Sequence, residues 1–328
     1  MNIATFHSSR RFANVRSGRI AYAEQGNGPV ALFVHGVPLN GYHWCHVIDQ
    51  VRHRRRCIAV DLMGLGYTDI APAQDVSFTA QARMIAEVIN ALGIDKIDLV
   101  GNDSGGAVAQ IFAAHYPDRL RSLVLTNCDV HDGWPPPQVL PLMERARNGT
   151  LAAVFAPLLD RPDLGRERYG RGESVPLFRS YADPGVLTDE IIRLYLTPLL
   201  SSQQRIAAFE RYWLSFDNAQ TVSIHQDLQR LKIPTLIVWG LADIFFDVKW
   251  AYWLKDTIPG AERVIEVADG RLFFAEDRPK SLSEPLLGFW DQERHVIATG
   301  FRTRRCTRSG VVRHSACWKR RARQQEAP

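Results

Sequence analysis

The most reactive-looking feature of the chain is a carboxylate set among glycines. In Lys96–Gln110, K-I-D-L-V-G-N-D-S-G-G-A-V-A-Q, Asp103 is the centre of Gly101-Asn102-Asp103-Ser104-Gly105. Glycine, any residue, nucleophile, any residue, glycine is the pattern of a nucleophile elbow, where a tight strained turn lifts one side chain above a sheet. Centring the pattern on Ser104 puts Asn102 where the first small residue belongs, so the presented group is read as the carboxylate. An ionised carboxylate attacks electrophilic carbon without first losing a proton. The ester it forms then needs activated water and donors for an oxyanion.

Such a turn works only between a strand and a helix, and the flanking residues supply both. Ile97–Val100 is a short apolar, β-branched run of the kind a buried parallel strand needs, and Ala107–Ala114 follows at helical spacing. Upstream, the apolar run Val30–Val34 leads into His35-Gly36-Val37-Pro38, and a glycine turn at the carboxyl end of a parallel strand is where ligands bind in such sheets. Cys57–Leu62 is a further strand ending in Asp61-Leu62-Met63-Gly64-Leu65-Gly66-Tyr67-Thr68-Asp69. Arg11–Gln25 reads as two strands around Ser17-Gly18, and Ser77–Leu92 as a helix stopped by Gly93. Leu120–Thr126 repeats the buried-strand pattern. Strand and helix alternate as a doubly wound parallel sheet demands.

After Asn127 the character changes. Pro135-Pro136-Pro137 interrupts regular structure, and the chain to about Gln229 has helical segments without a clear strand. The sheet resumes at Ile233–Gly240, with Asp243 just beyond; a helix at Val248–Thr257, a strand at Arg263–Val267 and a helix at Ser281–Trp290 close the pattern. The expected organisation is therefore a core over 1–130 and 230–293, an inserted helical cap over 131–229, and a tail over 294–328.

Composition is that of an ordinary globular protein, with 46% apolar and 23% charged residues in 328. The net charge of +5 is uneven. From Arg294 onward there are ten Arg or Lys and one acid, leaving 30 basic and 34 acidic residues before it. That tail has the composition of a disordered segment, and no nucleic-acid partner is expected from its charge. No apolar run reaches the ~18 residues of a membrane span, and the N-terminus lacks the apolar core of a signal peptide, so a cytoplasmic protein without a membrane partner is expected. Five scattered cysteines, Cys45, Cys57, Cys128, Cys306 and Cys317, without a C-x-x-C pair, suggest neither a disulfide framework nor a metal site. No cofactor is expected, and the sequence is silent on oligomeric state.

The elbow, the H-G-x-P turn about 25 residues before Asp61 and the D-x-x-G-x-G-x-[ST]-D turn about 35 residues before the elbow occur in an order specific enough to carry a resemblance. The chain resembles the α/β-hydrolase fold family, in its aspartate-nucleophile branch of haloalkane dehalogenases and epoxide hydrolases. The resemblance implies a mostly parallel sheet with helices on both faces and a helical cap. It assigns Asp103 as nucleophile and the amides of Val37 and Ser104 as oxyanion donors, with His35 and Gly36 shaping the turn. It also assigns Asp243 as the acid that orients a base, and Tyr195 and Tyr212 of the cap as candidates to polarise a leaving oxygen. A turn Asp in water is the plainer reading of Asp243.

The family's base is missing. The turn that should carry it reads Ala268-Asp269-Gly270-Arg271-Leu272-Phe273-Phe274-Ala275-Glu276-Asp277-Arg278-Pro279, and counting back from Pro279 puts Leu272 in the histidine's place. Of ten histidines, His35, His43, His46 and His131 fall on segments expected near the cleft, and His131 is the candidate substitute. Haloalkane dehalogenases typically follow the nucleophile with Trp and carry Asn in H-G-x-P, where this chain has Ser104 and Val37; the apolar residue is closer to epoxide hydrolases. The expected activity is attack on a carbon–halogen or epoxide bond of a small apolar organic substrate. The alternatives are a non-catalytic descendant that binds such a ligand, and a serine hydrolase using Ser104.

Overall fold

The apolar runs read as buried strands are strands. In the computed structural model, which describes residues 2–173 and 176–292, β1 (Arg10–Val15) and β2 (Gly18–Gln25) form a hairpin. β3 (Val30–Val34), β4 (Arg56–Val60), β5 (Ile97–Asp103), β6 (Leu120–Cys128), β7 (Thr235–Gly240) and β8 (Ala261–Val267) complete one sheet of eight strands. Its order is β1-β2-β4-β3-β5-β6-β7-β8, antiparallel across β1, β2 and β4 and parallel from β4 to β8. Every residue of β3, β5 and β7 is buried. Successive strand residues point to opposite faces, so burial at every position requires cover on both faces, and this is why these strands read as unbroken apolar runs.

The helices supply that cover. α1 (Ile3–Ser9) precedes the sheet, α2 (Cys45–Val51) follows β3, α3 (Phe78–Ala91) follows β4, and α4 (Ser104–His115) follows β5. Ser77 caps α3 by accepting from the Ala80 amide at 3.2 Å, and Gly93 leaves it in the left-handed region at φ +65°. Between β6 and β7 the chain builds α5 (Leu140–Arg147), α6 (Ala152–Asp160), α7 (Asp163–Gly170), α8 (Pro176–Arg179), α9 (Asp189–Leu200), α10 (Gln203–Leu214), α11 (Ala219–Val222) and α12 (His225–Leu228). α13 (Lys249–Thr257) packs on β7 and β8, α14 (Phe274–Asp277) follows β8, and the chain is helical again from residue 280. Met1–Leu287 is one compact unit holding both sheet and insertion; of the second unit, Gly288–Pro328, residues 288–292 are described and are helical. The basic tail from 294 lies outside the described residues.

Among the helices with no counterpart in the sequence reading are α1 and α2. Each is seven residues long, too short for a helical period to stand out, and each is started by a polar contact: Asn2 accepts from the Thr5 amide at 2.8 Å, and Asn40 accepts from the Tyr42 amide at 3.0 Å to open the turn before α2. β4 ends at Val60, two residues sooner than its apolar run. The buried Asp61 carboxylate leaves the ladder to accept from the amides of Gly41 and Tyr67, both at 2.8 Å, and so closes the glycine turn that follows.

Polar side chains tie the insertion to the turns at the sheet's edge. Arg205 of α10 donates to the carbonyls of Gly66 and Thr68, Asn40 donates to the Leu194 carbonyl at 3.0 Å, and Gln220 accepts from the Thr79 amide at 3.0 Å. These bonds satisfy the turn carbonyls of Gly66 and Thr68, a carbonyl within α9 and an amide in the first turn of α3.

The sheet's direction of growth reverses at β3, whose neighbours β4 and β5 lie on opposite sides. α4 reaches this point only because Gly105 lacks a side chain: a Cβ there would lie 2.4 Å from the carbonyl oxygens of both Val34 and His35. Gly105→Ala is therefore expected to destabilise the protein by ~1–3 kcal/mol or more in urea unfolding. An unchanged midpoint would show that α4 is not held against β3 at this residue.

Candidate active site

β5 ends in a backbone conformation that side chains rarely adopt. Asp103 has φ 55° and ψ −133°, and α4 begins at the next residue. Such a residue costs on the order of 1–3 kcal/mol, sustained here by the β5–β6 ladder on one side and α4 on the other. Strain of this kind points a side chain away from the sheet, and that of Asp103 points at the turn after β3. Its Oδ2 accepts from the Val37 amide at 2.9 Å, and the Ser104 amide also favours its charged form. Gly36 is required for this approach, since a Cβ there would lie 2.1 Å from Asp103 Oδ2.

His35 holds the turn. Its Nδ1 bonds the Gly36 carbonyl at 2.8 Å and its Nε2 accepts from the Leu62 amide at 3.1 Å, an arrangement that fixes the tautomer with the proton on Nδ1. Full burial pushes its pKa down to about 3, so the ring stays neutral and does no proton chemistry.

Asp103 faces a cavity of about 110 Å³. The sheet side contributes Val37, Asp129, Phe245 and Leu272, and the insertion closes the space with Leu142, Phe155, Trp213 and Phe216. Its polar lining includes Asp103, Asp129, Arg168, Ser180 and the indole of Trp213. Arg168 Nε is engaged by Glu173 Oε2 at 2.7 Å, and Ser180 Oγ by the Pro176 carbonyl at 3.0 Å.

Asp103 feels two further buried carboxyl groups, Asp129 on the cavity wall and Asp243 after β7, and the cation on that wall, Arg168, is engaged by Glu173. Burial pushes the Asp103 pKa up to about 8, against the pull of the Val37 amide, and the Asp243 charge adds to the rise. Burial pushes Asp243 up to about 7, opposed by the Phe245 amide and by Asn127. Asp129 lies well above the usual carboxylate range, through burial first and the Asp103 charge second. Among the described residues no group of three or more His, Cys, Asp or Glu is placed to hold a metal ion.

The other residues singled out from sequence are placed as follows. Asp243 sits after β7, where Oδ2 accepts from Asn127 Nδ2 at 2.8 Å and Oδ1 from the Phe245 amide at 2.9 Å. Leu272 lines the cavity with its side chain, and its carbonyl accepts from Asn102 Nδ2 at 3.0 Å. Ser104 is buried and does not line the cavity; Tyr212 donates to its Oγ at 2.8 Å. Tyr195 is turned elsewhere, donating to Glu276 Oε1 at 2.8 Å.

His131 is not brought to Asp103. It has φ 47°, its ring packs on Trp253 and His225, and its Nδ1 lies 3.1 Å from Asp132 Oδ1, none of them at the cavity wall. The cause is the tight turn after β6, which points the side chain outward. His43 is buried against Glu276 Oε2 at 3.2 Å, again away from the cavity.

Two carboxylates escaped the sequence reading. Glu276 collects hydrogen bonds from Tyr181 and Tyr195, both at 2.8 Å, and so fastens the insertion to the turn after β8. Asp129 is the first residue past β6, and the rule that ligands meet the carboxyl ends of parallel strands was the signal that could have found it.

A family model described as alpha/beta hydrolase fold matches residues 29–168. The chain is 25% identical over 281 residues to a cis-3-alkyl-4-alkyloxetan-2-one decarboxylase of Shewanella oneidensis, covering 82% of this chain and 84% of the relative. It is 26% identical over 312 residues to epoxide hydrolase 3 of Siraitia grosvenorii, covering 84% and 96%. It is 25% identical over 284 residues to haloalkane dehalogenase 2 of Mycobacterium bovis, covering 85% and 93%.

The raised Asp103 pKa has a defined sign in stability. An unfolded aspartate ionises near pH ~4, whereas the folded one keeps its proton to about 8, so the folded state loses stability relative to the unfolded between these values and levels off above them. Asp103→Asn removes that loss. Its stability relative to wild type should rise from pH 4 to pH 8 in paired urea titrations; a difference independent of pH would mean that Asp103 is ionised throughout.

Proposed function

Because this chain belongs to the α/β-hydrolase fold family, we propose that it is a hydrolase in which Asp103 attacks an electrophilic carbon of a small apolar molecule, an epoxide or a carbon–halogen compound. The observation that carries this reading is the Asp103 carboxylate, raised on a left-handed turn, held by main-chain amides and exposed to an apolar cavity. The relatives named epoxide hydrolase and haloalkane dehalogenase support that substrate class.

The chemistry runs in two steps. Asp103 Oδ forms a bond to carbon as the epoxide oxygen or halide departs, giving an ester on the enzyme. Water then adds to the Asp103 carbonyl carbon, and the oxyanion is stabilised by the amides of Val37 and Ser104, which already point at that oxygen. Trp213 lines the same cavity with its Nε1 buried and unpartnered, a donor available to the leaving group. The insertion over 131–229 acts as a cap that keeps the space dry.

The second step lacks the usual histidine. Leu272 fills the place of that ring with an apolar side chain, while the Asp243 carboxylate stands bound to Asn127. A serine mechanism has less support, since Ser104 Oγ is taken by Tyr212 and Ser104 does not line the cavity.

A positioned base typically contributes ~100-fold to 10,000-fold, so loss of the histidine slows ester release enough for the adduct to be seen in the mass of the intact protein. Incubation with panels of small epoxides and haloalkanes should add one substrate mass to the intact protein, and Asp103→Asn should abolish the addition. Leu272→His should shorten the adduct's lifetime by about 100-fold. No adduct with any member of either panel would leave a cavity that only binds apolar ligands.

A further inference from the structure

We propose that Asp129 is the proton carrier of this site: a neutral carboxylic acid that protonates the departing oxygen of an epoxide and afterwards, as a carboxylate, takes a proton from the attacking water. This rests on the reading of Asp103 as nucleophile.

The register of the sheet brings the two groups together. Asp103 pairs with Cys128 across the parallel strands β5 and β6, and Asp129 is the next residue. Its main chain is anchored, because Gln110 Nε2 of α4 donates to the Asp129 carbonyl at 2.8 Å. Its side chain is 1% exposed, lines the cavity, and has no hydrogen-bond partner on either oxygen among the described residues. Buried polar side chains are nearly always partnered, so a carboxyl left open at a cavity wall calls for a role that a packing residue would not have.

The groups facing it set its proton. Asp103 approaches from the β5–α4 turn, Tyr212 from α10, the Cys128 thiol from β6, and Arg168 stands elsewhere on the wall, bonded to Glu173. Two buried carboxyls in one space do not both ionise readily. A main-chain amide stabilises charge on Asp103, and among the described residues no donor does so on Asp129, so Asp103 ionises first and Asp129 keeps its proton.

The bookkeeping closes for an epoxide. As the Asp103 Oδ–carbon bond forms and the carbon–oxygen bond breaks, the freed alkoxide takes the Asp129 proton. Asp129, now ionised, accepts a proton from water while hydroxide adds to the Asp103 carbonyl carbon. Collapse of the tetrahedral species expels the second alkoxide, which takes the proton of the newly formed Asp103 carboxylic acid. A diol leaves, with Asp103 ionised and Asp129 protonated as at the start. A halide needs no proton, so Asp129 stays protonated after a haloalkane reacts, and that ester has no base for its release. The site thereby favours turnover of epoxides and traps haloalkanes.

Rapid-quench intact mass with butylene oxide and butyl bromide tests this. In the wild type the epoxide adduct should decay about 100-fold faster than the butyl adduct. Asp129→Asn should slow labelling by the epoxide about 100-fold more than it slows labelling by the bromide. The wild type alone gives a second reading that needs no variant to fold: labelling by the bromide should only rise with pH, whereas labelling by the epoxide should rise and then fall as Asp129 loses its proton. Equal lifetimes of the two adducts, equal pH profiles, or wild-type labelling and release in Asp129→Asn would overturn the role of Asp129 while leaving Asp103 as nucleophile. Absence of any adduct in the wild type would instead overturn the nucleophile, and this inference with it.

Discussion

The hydrogen bond from the Val37 amide to the Asp103 carboxylate is the contact on which the site depends. It joins the turns after β3 and β5, the two strands between which the sheet changes its direction of growth, and it does so at 2.9 Å with both partners buried. Everything around it serves that approach. Gly36 and Gly105 remove side chains that would collide with it, His35 pins the turn by bonding at both ring nitrogens, and the strained backbone of Asp103 turns the carboxylate toward the amide. An amide aimed in advance at a carboxyl oxygen is the arrangement that stabilises charge developing on that oxygen, with no reorganisation left to make during reaction.

Much of this was legible because close approach leaves a mark in sequence. The glycines of the elbow and of H-G-V-P have to be glycines, and the buried parallel strands have to be apolar throughout. Other features leave no such mark. α1 and α2 are single helices of seven residues each, too short for a helical period to stand out. Asp129 looked like any polar residue after a strand, since nothing in one dimension says that its side chain turns into a cavity and meets no partner. His131 drew attention because histidines do proton chemistry, yet its left-handed backbone sends the ring toward Trp253. Spacing along a chain gives the strand end, not the direction in which a side chain leaves it.

The electrostatics fit the proposed chemistry, which uses no histidine. Burial pushes the pKa values of Asp103, Asp129 and Asp243 up, and among the described residues no cation is paired with any of the three. A structural core would replace such groups with apolar or amide side chains, because each buried carboxyl is costly to ionise. Retaining three suits a site that moves protons between oxygen atoms, and local stability is given up where function needs it.

The central claim is that water attacks the carbonyl carbon of an Asp103 ester rather than the substrate itself. Turnover of an epoxide in water enriched in heavy oxygen, followed by peptide mass analysis, tests it directly. The account predicts heavy oxygen in the carboxylate of Asp103, in the peptide spanning Ile97 to Gln110, after a single turnover. Heavy oxygen found in the product with none in Asp103 would contradict it, and would mean that the carboxylate acts only as a base toward water.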